Sequence, residues 1–370
     1  MGLRRRTVES RHARSRGGLA WDLAPLAVLA SVGVALLRDF SNLRTRSDAA
    51  IRAAPEPGRG RRATSPAEIP KRGWKDILVR TRKEFAEDQV PLVAAGVTFY
   101  TLLALFPGLA AFVSLYGLFA DPAEAREQLR SLYFVLPPAA LDFLGEQMVR
   151  IAAGDKGRQS LAFAAGLLVS VWSANGAVKA LITGLNIAYE EAERRSLLRR
   201  TLISLGFTLG FLGFVILAVG LIAAKPAVAA LAGPSAADLF GWISLPALAM
   251  ALTLGLALLY RYGPSRDPVR WRWISWGSVG VVAFWLAASA LFSLYVDNFA
   301  NYDKTYGSLG AVIGFMMWIY LSSIVVLAGA ELNSEIEHQT AVDTTTGAPR
   351  PMGLRGARMA DTVGAAQTRR

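Results

Sequence analysis

The chain has 370 residues, of which 53% are apolar and 18% are charged, and its mean hydropathy is +0.35. Soluble domains carry nearer to about 25% charged residues, so this composition excludes an ordinary soluble protein and indicates an integral membrane protein. The absence of cysteine excludes disulfides and thiolate metal sites, and the presence of only His12 and His338 argues against histidine-based chemistry. The formal net charge of +12 raises a nucleic-acid hypothesis that depends on where the bases lie.

Residues 1–69 form a basic N-terminal tail in which one short stretch is apolar. Residues 23–37 read LAPLAVLASVGVALL, which is short for a membrane span, so we interpret them as an additional membrane-associated helix. A spanning segment and the core of a cleaved signal peptide are the alternatives. Residues 38–70 are rich in proline, glycine and arginine, and they predict a flexible linker.

Six apolar blocks follow, each long enough to cross a bilayer as a helix. They cover residues 91–119, 161–183, 201–224, 239–260, 273–296 and 309–330. Backbone amides in hydrocarbon must be satisfied within their own segment, and the blocks lack the strict alternation of barrel strands. We therefore predict an all-α, polytopic bundle of six transmembrane helices over residues 70–338, followed by a flexible C-terminal tail, 339–370.

The loop between the first two blocks contains a further predicted helix. Leu141, Leu144, Met148 and Ile151 recur at spacings of three and four residues, which is typical of one apolar helix face. We expect an amphipathic helix that lies on the membrane surface or covers the bundle. Packing and a role in substrate access are both open as its purpose.

Basic residues concentrate in alternate loops. The loops after the third and fifth blocks hold one lysine each, Lys225 and Lys304. By contrast, bases crowd the segment before the first block and the loops after the second and fourth, which contain Arg194, Arg195, Arg199, Arg200, Arg261, Arg266, Arg270 and Arg272. The positive-inside rule then places both termini in the cytoplasm. Because topology explains the net charge, we expect membrane lipids as partners and no nucleic acid, and we leave a homo-oligomer open.

The last block ends in a cluster of acids, VVLAGAELNSEIE (325–337). Glu331 and Glu335 share one helix face, whereas Glu337 points elsewhere. A two-metal nuclease centre would need a second acidic or histidine cluster on the same side of the membrane, and the sequence offers none. We therefore predict no catalytic site, no metal site and no cofactor.

Polar residues inside the spans are better functional candidates, because they are costly in hydrocarbon. In the second block Asn175, Lys179 and Asn186 share one helix face, and roles in helix packing and in a substrate path are equally open. Glu331 and Asn333 are interpreted as a latch from the last span to the second, through Lys179 or the arginines of the following loop. The predicted substrate-path or gate residues are Tyr100, Pro107, Ser173, Asn175, Lys179, Asn186, Tyr189, Tyr302, Tyr306, Gly307, Glu331 and Asn333.

Three stretches carry a family resemblance: AAGVTFYTLLALFPGL (94–109), LNIAYEEAERRSLLRR (185–200) and FSLYVDNFANYDKTYGSLGAVIGFMMWIYLSSIVVLAGAELNSEIE (292–337). They are similar to the YihY/BrkB family of bacterial inner-membrane proteins, over about residues 70–338. The resemblance implies a six-helix membrane protein with proposed roles in moving lipid-like or envelope molecules. Some members were catalogued as ribonuclease BN, an assignment regarded as mistaken.

The predicted function is accordingly not enzymatic. The spans contain no buried acid, so a lipid-like or envelope-related amphipathic substrate suits their apolar lining better than a small ion does. We expect a protein that transports or translocates such a molecule. A structural or assembly partner in the envelope is the alternative, and a membrane-bound ribonuclease is the least favoured reading.

Overall fold

The computed structural model describes residues 56–116, 159–299 and 309–367. The apolar stretch 23–37 and the helix predicted from Leu141 to Ile151 lie outside these ranges. The described residues form α-helices and contain no β-strand beyond one isolated antiparallel bridge between Val269 and Thr345.

The described ranges contain eight α-helices. They are α1 (Lys71–Glu87), α2 (Val90–Tyr116), α3 (Gln159–Ala188), α4 (Leu197–Ala232), α5 (Pro234–Tyr262), α6 (Trp271–Phe299), α7 (Leu309–His338) and the single turn α8 (Arg358–Asp361). A 3₁₀ turn, Pro66–Glu68, precedes α1.

Five of these helices are long and apolar enough to cross a membrane. The segments concerned are Gly166–Ala188, Leu197–Ala232, Pro234–Tyr262, Trp271–Val296 and Val312–His338. A sixth candidate is the pair formed by α1 and Val90–Leu105 of α2, which are bent by 60° relative to each other. The prediction of an all-α polytopic membrane protein is therefore confirmed.

The bend between α1 and α2 has a local cause. Gln89 has a φ of +50°, in the left-handed region that ends a right-handed helix. Pro91 follows in the first turn of α2, where its missing N–H costs no helical hydrogen bond. Asp88 and Gln89 therefore form a turn that points α1 away from the axis of α2.

Helix α7 occupies the centre of the bundle, packed against α1, α2, α3 and α6. Gly184 of α3 allows this closeness, because a Cβ there would lie 2.6 Å from Leu327 of α7 and 2.8 Å from Val93 of α2. Helices α4 and α5 pack on each other at the side of this group. Only 6% of the most apolar stretch of α4 is buried inside the protein, as expected for a helix that faces lipid.

The largest apolar core lies at one end of the bundle, where α3, α5 and α7 end and α4 and α6 begin. We call it the capped end. Buried side chains from α1, α3, α5, α6, α7 and α8 meet there, and the Tyr260 hydroxyl donates a 2.8 Å hydrogen bond to the Val326 carbonyl oxygen. The core residues include Ile77, Leu185, Tyr189, Tyr260, Trp273 and Ile274.

Residues 339–367 pack onto this end, and we call them the C-terminal cap. Composition predicted flexible segments both here and before residue 70; among the described residues of these segments, Ala63, Thr340, Thr344 and Met359 are buried. The physical reason is that buried arginines bind main-chain carbonyl groups. Arg61 donates to the carbonyl oxygen of Gly364 at 2.7 Å, and Arg355 donates to that of Ala360 at 2.6 Å.

Candidate functional site

The three glutamates that end α7 have separate surroundings. Glu335 accepts a hydrogen bond from Arg80 of α1 at 2.5 Å. Glu337 forms a bidentate pair with Arg266 at 2.8 and 2.6 Å, which ties α7 to the loop between α5 and α6. Within the described ranges, no three acidic or histidine side chains are grouped as metal ligands would be. Glu335 and Glu337 therefore act as structural anchors for the capped end.

Glu331 differs from the other two because it lacks a cation. Its side chain is 1% exposed, and neither carboxyl oxygen receives a hydrogen bond from a nitrogen or hydroxyl group of the described residues. The carboxyl group of Asp88, in the turn between α1 and α2, is a neighbour of Glu331. Burial raises the pKa of the Asp88 carboxyl group. The bend of the chain therefore brings two carboxyl groups together, and the described residues supply Glu331 with no cation.

The expected latch partners of Glu331 are consequently wrong. Arg195 instead pairs with Glu193 at 2.7 Å, and Arg200 donates to the Thr183 hydroxyl at 3.0 Å. Glu331 faces the α1–α2 turn, so its contact links α7 to the first span rather than to the second. Sequence position alone could not reveal this geometry, because α1 lies outside the apolar blocks.

Asn333 lies one turn before the end of α7 and faces α6. A Cβ at Gly277 would overlap the Asn333 amide group, so this glycine lets the two helices approach there. Neither Nδ2 nor Oδ1 of Asn333 has a hydrogen-bond partner among the described residues, although the side chain is buried. A buried amide without partners is costly in a folded protein, which marks this position as one that packing alone does not explain.

Asn186, near the end of α3, is hydrogen-bonded to the α3–α4 loop and to the α5–α6 loop at the capped end. Its Nδ2 donates to Glu193 at 3.1 Å, and its Oδ1 accepts a hydrogen bond from the Ser265 backbone N–H at 2.7 Å. The hydrogen bonds from Arg195 lower the pKa of Glu193 to about 2, so this carboxylate stays ionised in the folded protein. The polar groups of Asn186 are all used structurally, which favours an architectural role.

Tyr189 lies beside this junction and is fully buried. The Arg266 guanidinium sits 5.0 Å from the centre of its ring, in a cation–π contact. Next to it, Glu191 accepts a 2.6 Å hydrogen bond from the backbone N–H of Arg358, and burial raises the pKa of that glutamate. The cap is thus fastened to the α3–α4 loop as well as to α7.

A second group of predicted residues lies deeper in the spans, where α2 and α3 cross. Ser173 and Asn175 are buried, and the Oδ1 atom of Asn175 has no hydrogen-bond partner in the described part of the chain. The Tyr100 ring packs against Gly176, where a Cβ would lie 2.9 Å from it, and the tyrosine is 41% exposed. The crossing of α2 and α3 therefore holds buried neutral polar groups next to a tyrosine that reaches the outer surface of the bundle.

The other predicted residues are dispersed. Pro107 lies inside α2 and Lys179 is partly exposed on α3. Tyr302, Tyr306 and Gly307 lie outside the described residues.

The predicted residues do not converge on one centre. Leu327 lies beside Gly184, so Glu331, one turn further along α7, is level with the end of α3. Asn175 lies 13 residues before that end, or about 20 Å at the rise of an α-helix. Glu331 thus belongs to the capped end and Asn175 to the interior of the spans. A role shared by the two stays a prediction.

Sequence reasoning missed Arg80, Asp88 and Arg266. The available signal was the spacing of Gly73, Ile77 and Arg80, which places them on one face of α1. That signal was passed over because α1 is too polar to be found in a search for apolar blocks.

The helices, the apolar spans and the buried polar groups define a polytopic α-helical membrane protein. The family model for Virulence factor BrkB matches residues 81–352, so the chain belongs to the BrkB family. This confirms the resemblance read from the three sequence stretches.

Several relatives are similar over most of the chain. YfkH of Bacillus subtilis (strain 168), named as ribonuclease-like, is 29% identical over 65% of this chain and 88% of its own length. The UPF0761 membrane protein Mpe_A1422 of Methylibium petroleiphilum is 28% identical over 70% of this chain, and RSc1559 of Ralstonia nicotianae is also 28% identical over 70%. The chain spans about three fifths of the length of these two UPF0761 proteins (61% and 60%). No solved structure matches the chain.

Proposed function

We propose that this protein is a non-enzymatic translocator that moves a lipid-like, envelope-related amphipathic molecule across the bacterial inner membrane, with both termini in the cytoplasm. The observation that carries the proposal is the amide oxygen of Asn175, which is buried between spans and receives no hydrogen bond from the described residues. A buried polar group without a partner is costly unless a ligand or water supplies the missing bond.

The surroundings of Asn175 favour an amphipathic substrate. Thr98 of α2 and Ser173 of α3 are buried neutral polar groups on the two helices that cross here, and Tyr100, which packs against Gly176, is 41% exposed at the surface of the bundle. A lipid headgroup that moves between leaflets needs hydrogen-bonding groups along its way, while its chains stay in hydrocarbon. Neutral polar groups supply such bonds without the large desolvation cost of a charge.

The test is a leaflet-exchange assay with the full-length protein in liposomes. Dithionite quenches fluorescent headgroups only in the outer leaflet, so faster loss of the protected half reports translocation. We expect acceleration over protein-free vesicles for at least one lipid class, in a panel that includes phosphatidylglycerol, phosphatidylethanolamine and lipid A precursors. No acceleration for any class would overturn the proposal.

The name of YfkH makes a nuclease control appropriate. Glu335 and Glu337 are engaged by Arg80 and Arg266, which leaves Glu331 and Asp88 as the carboxyl pair free of cations. The same preparation should leave structured RNA intact in the presence of Mg²⁺ or Mn²⁺. Cleavage that disappears in Glu331→Ala would support a membrane-bound ribonuclease instead.

A further inference from the structure

Helix α1 presents an outer face that the bundle does not use. Its inner face is anchored by buried Ile77 and by Arg80, which binds Glu335 of α7. On the outer face, Leu78 is 58% exposed and Val79 is 42% exposed. An apolar surface of this kind, on a helix that leads directly into a span, belongs at the boundary between membrane and water.

The side chains on this outer face of a single helix border a shallow, open space with a volume of about 540 Å³. We call it the α1 groove; its lining residues are Lys71, Trp74, Lys75, Leu78, Val79 and Arg82. The cations lie at spacings of four and seven residues, which aligns them along one side of the helix. No acidic side chain lines the groove, and in the described part of the chain these three cations have no ion-pair partner.

The acids of α1 are engaged elsewhere. Asp76 is buried and accepts two hydrogen bonds from Arg59, at 2.8 and 2.6 Å. Glu84 and Glu87 both lie next to Lys83, at 3.6 and 3.1 Å. The outer face therefore keeps an uncompensated positive charge beside exposed apolar side chains.

We propose that the α1 groove binds the phosphate headgroup of an anionic phospholipid. Lysine and arginine donate charge-assisted hydrogen bonds to phosphate oxygens. Leu78 and Val79 contact the upper part of the acyl chains, and Trp74 supplies the amphipathic ring found at membrane interfaces. A nucleic acid backbone would leave the apolar strip between the cations without an apolar partner, so charge and apolarity together favour a lipid. This proposal does not depend on translocation.

The test compares two variants that lose the same charge from the same helix. Lys75→Gln/Arg82→Gln removes two cations of the groove, whereas Arg72→Gln/Lys83→Gln removes two exposed cations outside it. Native mass spectrometry of the full-length protein in mild detergent measures binding of phosphatidylglycerol and of phosphatidylcholine. We expect the wild-type protein to prefer phosphatidylglycerol, the groove variant to lose at least about tenfold in affinity for it, and the control variant to keep it.

Three outcomes would overturn the proposal. The first is equal binding of the two lipids by the wild-type protein, and the second is an equal loss in both variants, which would indicate general charge attraction. The third is unchanged phosphatidylglycerol binding in the groove variant together with a lost affinity for a single-stranded RNA oligonucleotide. That result would assign the groove to nucleic acid.

Discussion

Replacing Arg80 with methionine should open the capped end, because this one guanidinium group joins α1, α7 and the cap. Arg80 is 5% exposed and donates to Glu335 at 2.5 Å, to the Gln339 side chain at 2.8 Å and to the Ala365 carbonyl oxygen at 3.0 Å. Methionine keeps much of the apolar stem but leaves Glu335 without its main partner. Removing one member of a buried ion pair costs about 3–5 kcal/mol of unfolding free energy.

The assay is denaturant unfolding in detergent, followed by circular dichroism, together with limited trypsin digestion. Arg80→Met should lower the unfolding midpoint and speed cleavage of the cap at Arg355 and Arg358. Lys83→Met is the matched control, because that lysine is 60% exposed on the same helix, and it should leave both measurements unchanged. The reasoning is refuted if Arg80→Met costs less than about 1 kcal/mol and the cap is cleaved no faster.

Three further predictions concern the capped end. Gly277→Ala should destabilise the protein by about 1–3 kcal/mol, because the added Cβ overlaps the Asn333 amide. In a denaturant titration, adding Asn333→Ala to the same chain should restore much of that loss. Additive losses of stability in the double variant would contradict the contact. Arg195 holds the pKa of Glu193 down at about 2, so the resulting stabilisation is present above the unfolded-state pKa of about 4.3 and is lost as pH falls toward about 2. Melting temperatures measured from pH 6 to pH 3 should therefore fall less in Glu193→Gln than in the wild-type protein, and parallel curves would contradict this. Glu331→Gln should leave the melting temperature unchanged or raise it, because the substitution removes a buried carboxyl group that has no cation among the described residues, and an amide can donate a hydrogen bond to the neighbouring Asp88. A clear decrease would indicate a cationic partner.

The spans could be predicted from the sequence, but their ends could not. The apolar block 309–330 predicted the last helix, whereas α7 continues to His338. Hydropathy ends a span at the first charges, and here Glu335 and Glu337 remain inside because Arg80 and Arg266 neutralise them. These arginine partners come from α1 and from a loop, so they are tertiary contacts that a local sequence pattern does not contain.

The cap and the candidate residues show the same limit. Composition predicts a flexible tail over residues 339–370. Main-chain carbonyl groups in this segment nevertheless accept hydrogen bonds from arginines at distant positions, such as Arg61. Asn175 and Asn333 could be selected from the sequence because polar groups in spans are rare. Their lack of partners could not, because it depends on which atoms of neighbouring helices surround them.

Leaflet exchange by the variant Asn175→Leu tests the central claim most directly. Leucine has the same branched arrangement of side-chain heavy atoms and removes a buried oxygen that has no donor among the described residues, so stability should be unchanged or increased. Ser278→Ala is the control, because that buried hydroxyl donates to the Ile274 carbonyl oxygen within its own helix, at 2.9 Å. The account predicts that exchange falls to the protein-free rate in Asn175→Leu and persists in Ser278→Ala. A folded Asn175→Leu protein that exchanges lipid as fast as the wild type would contradict it.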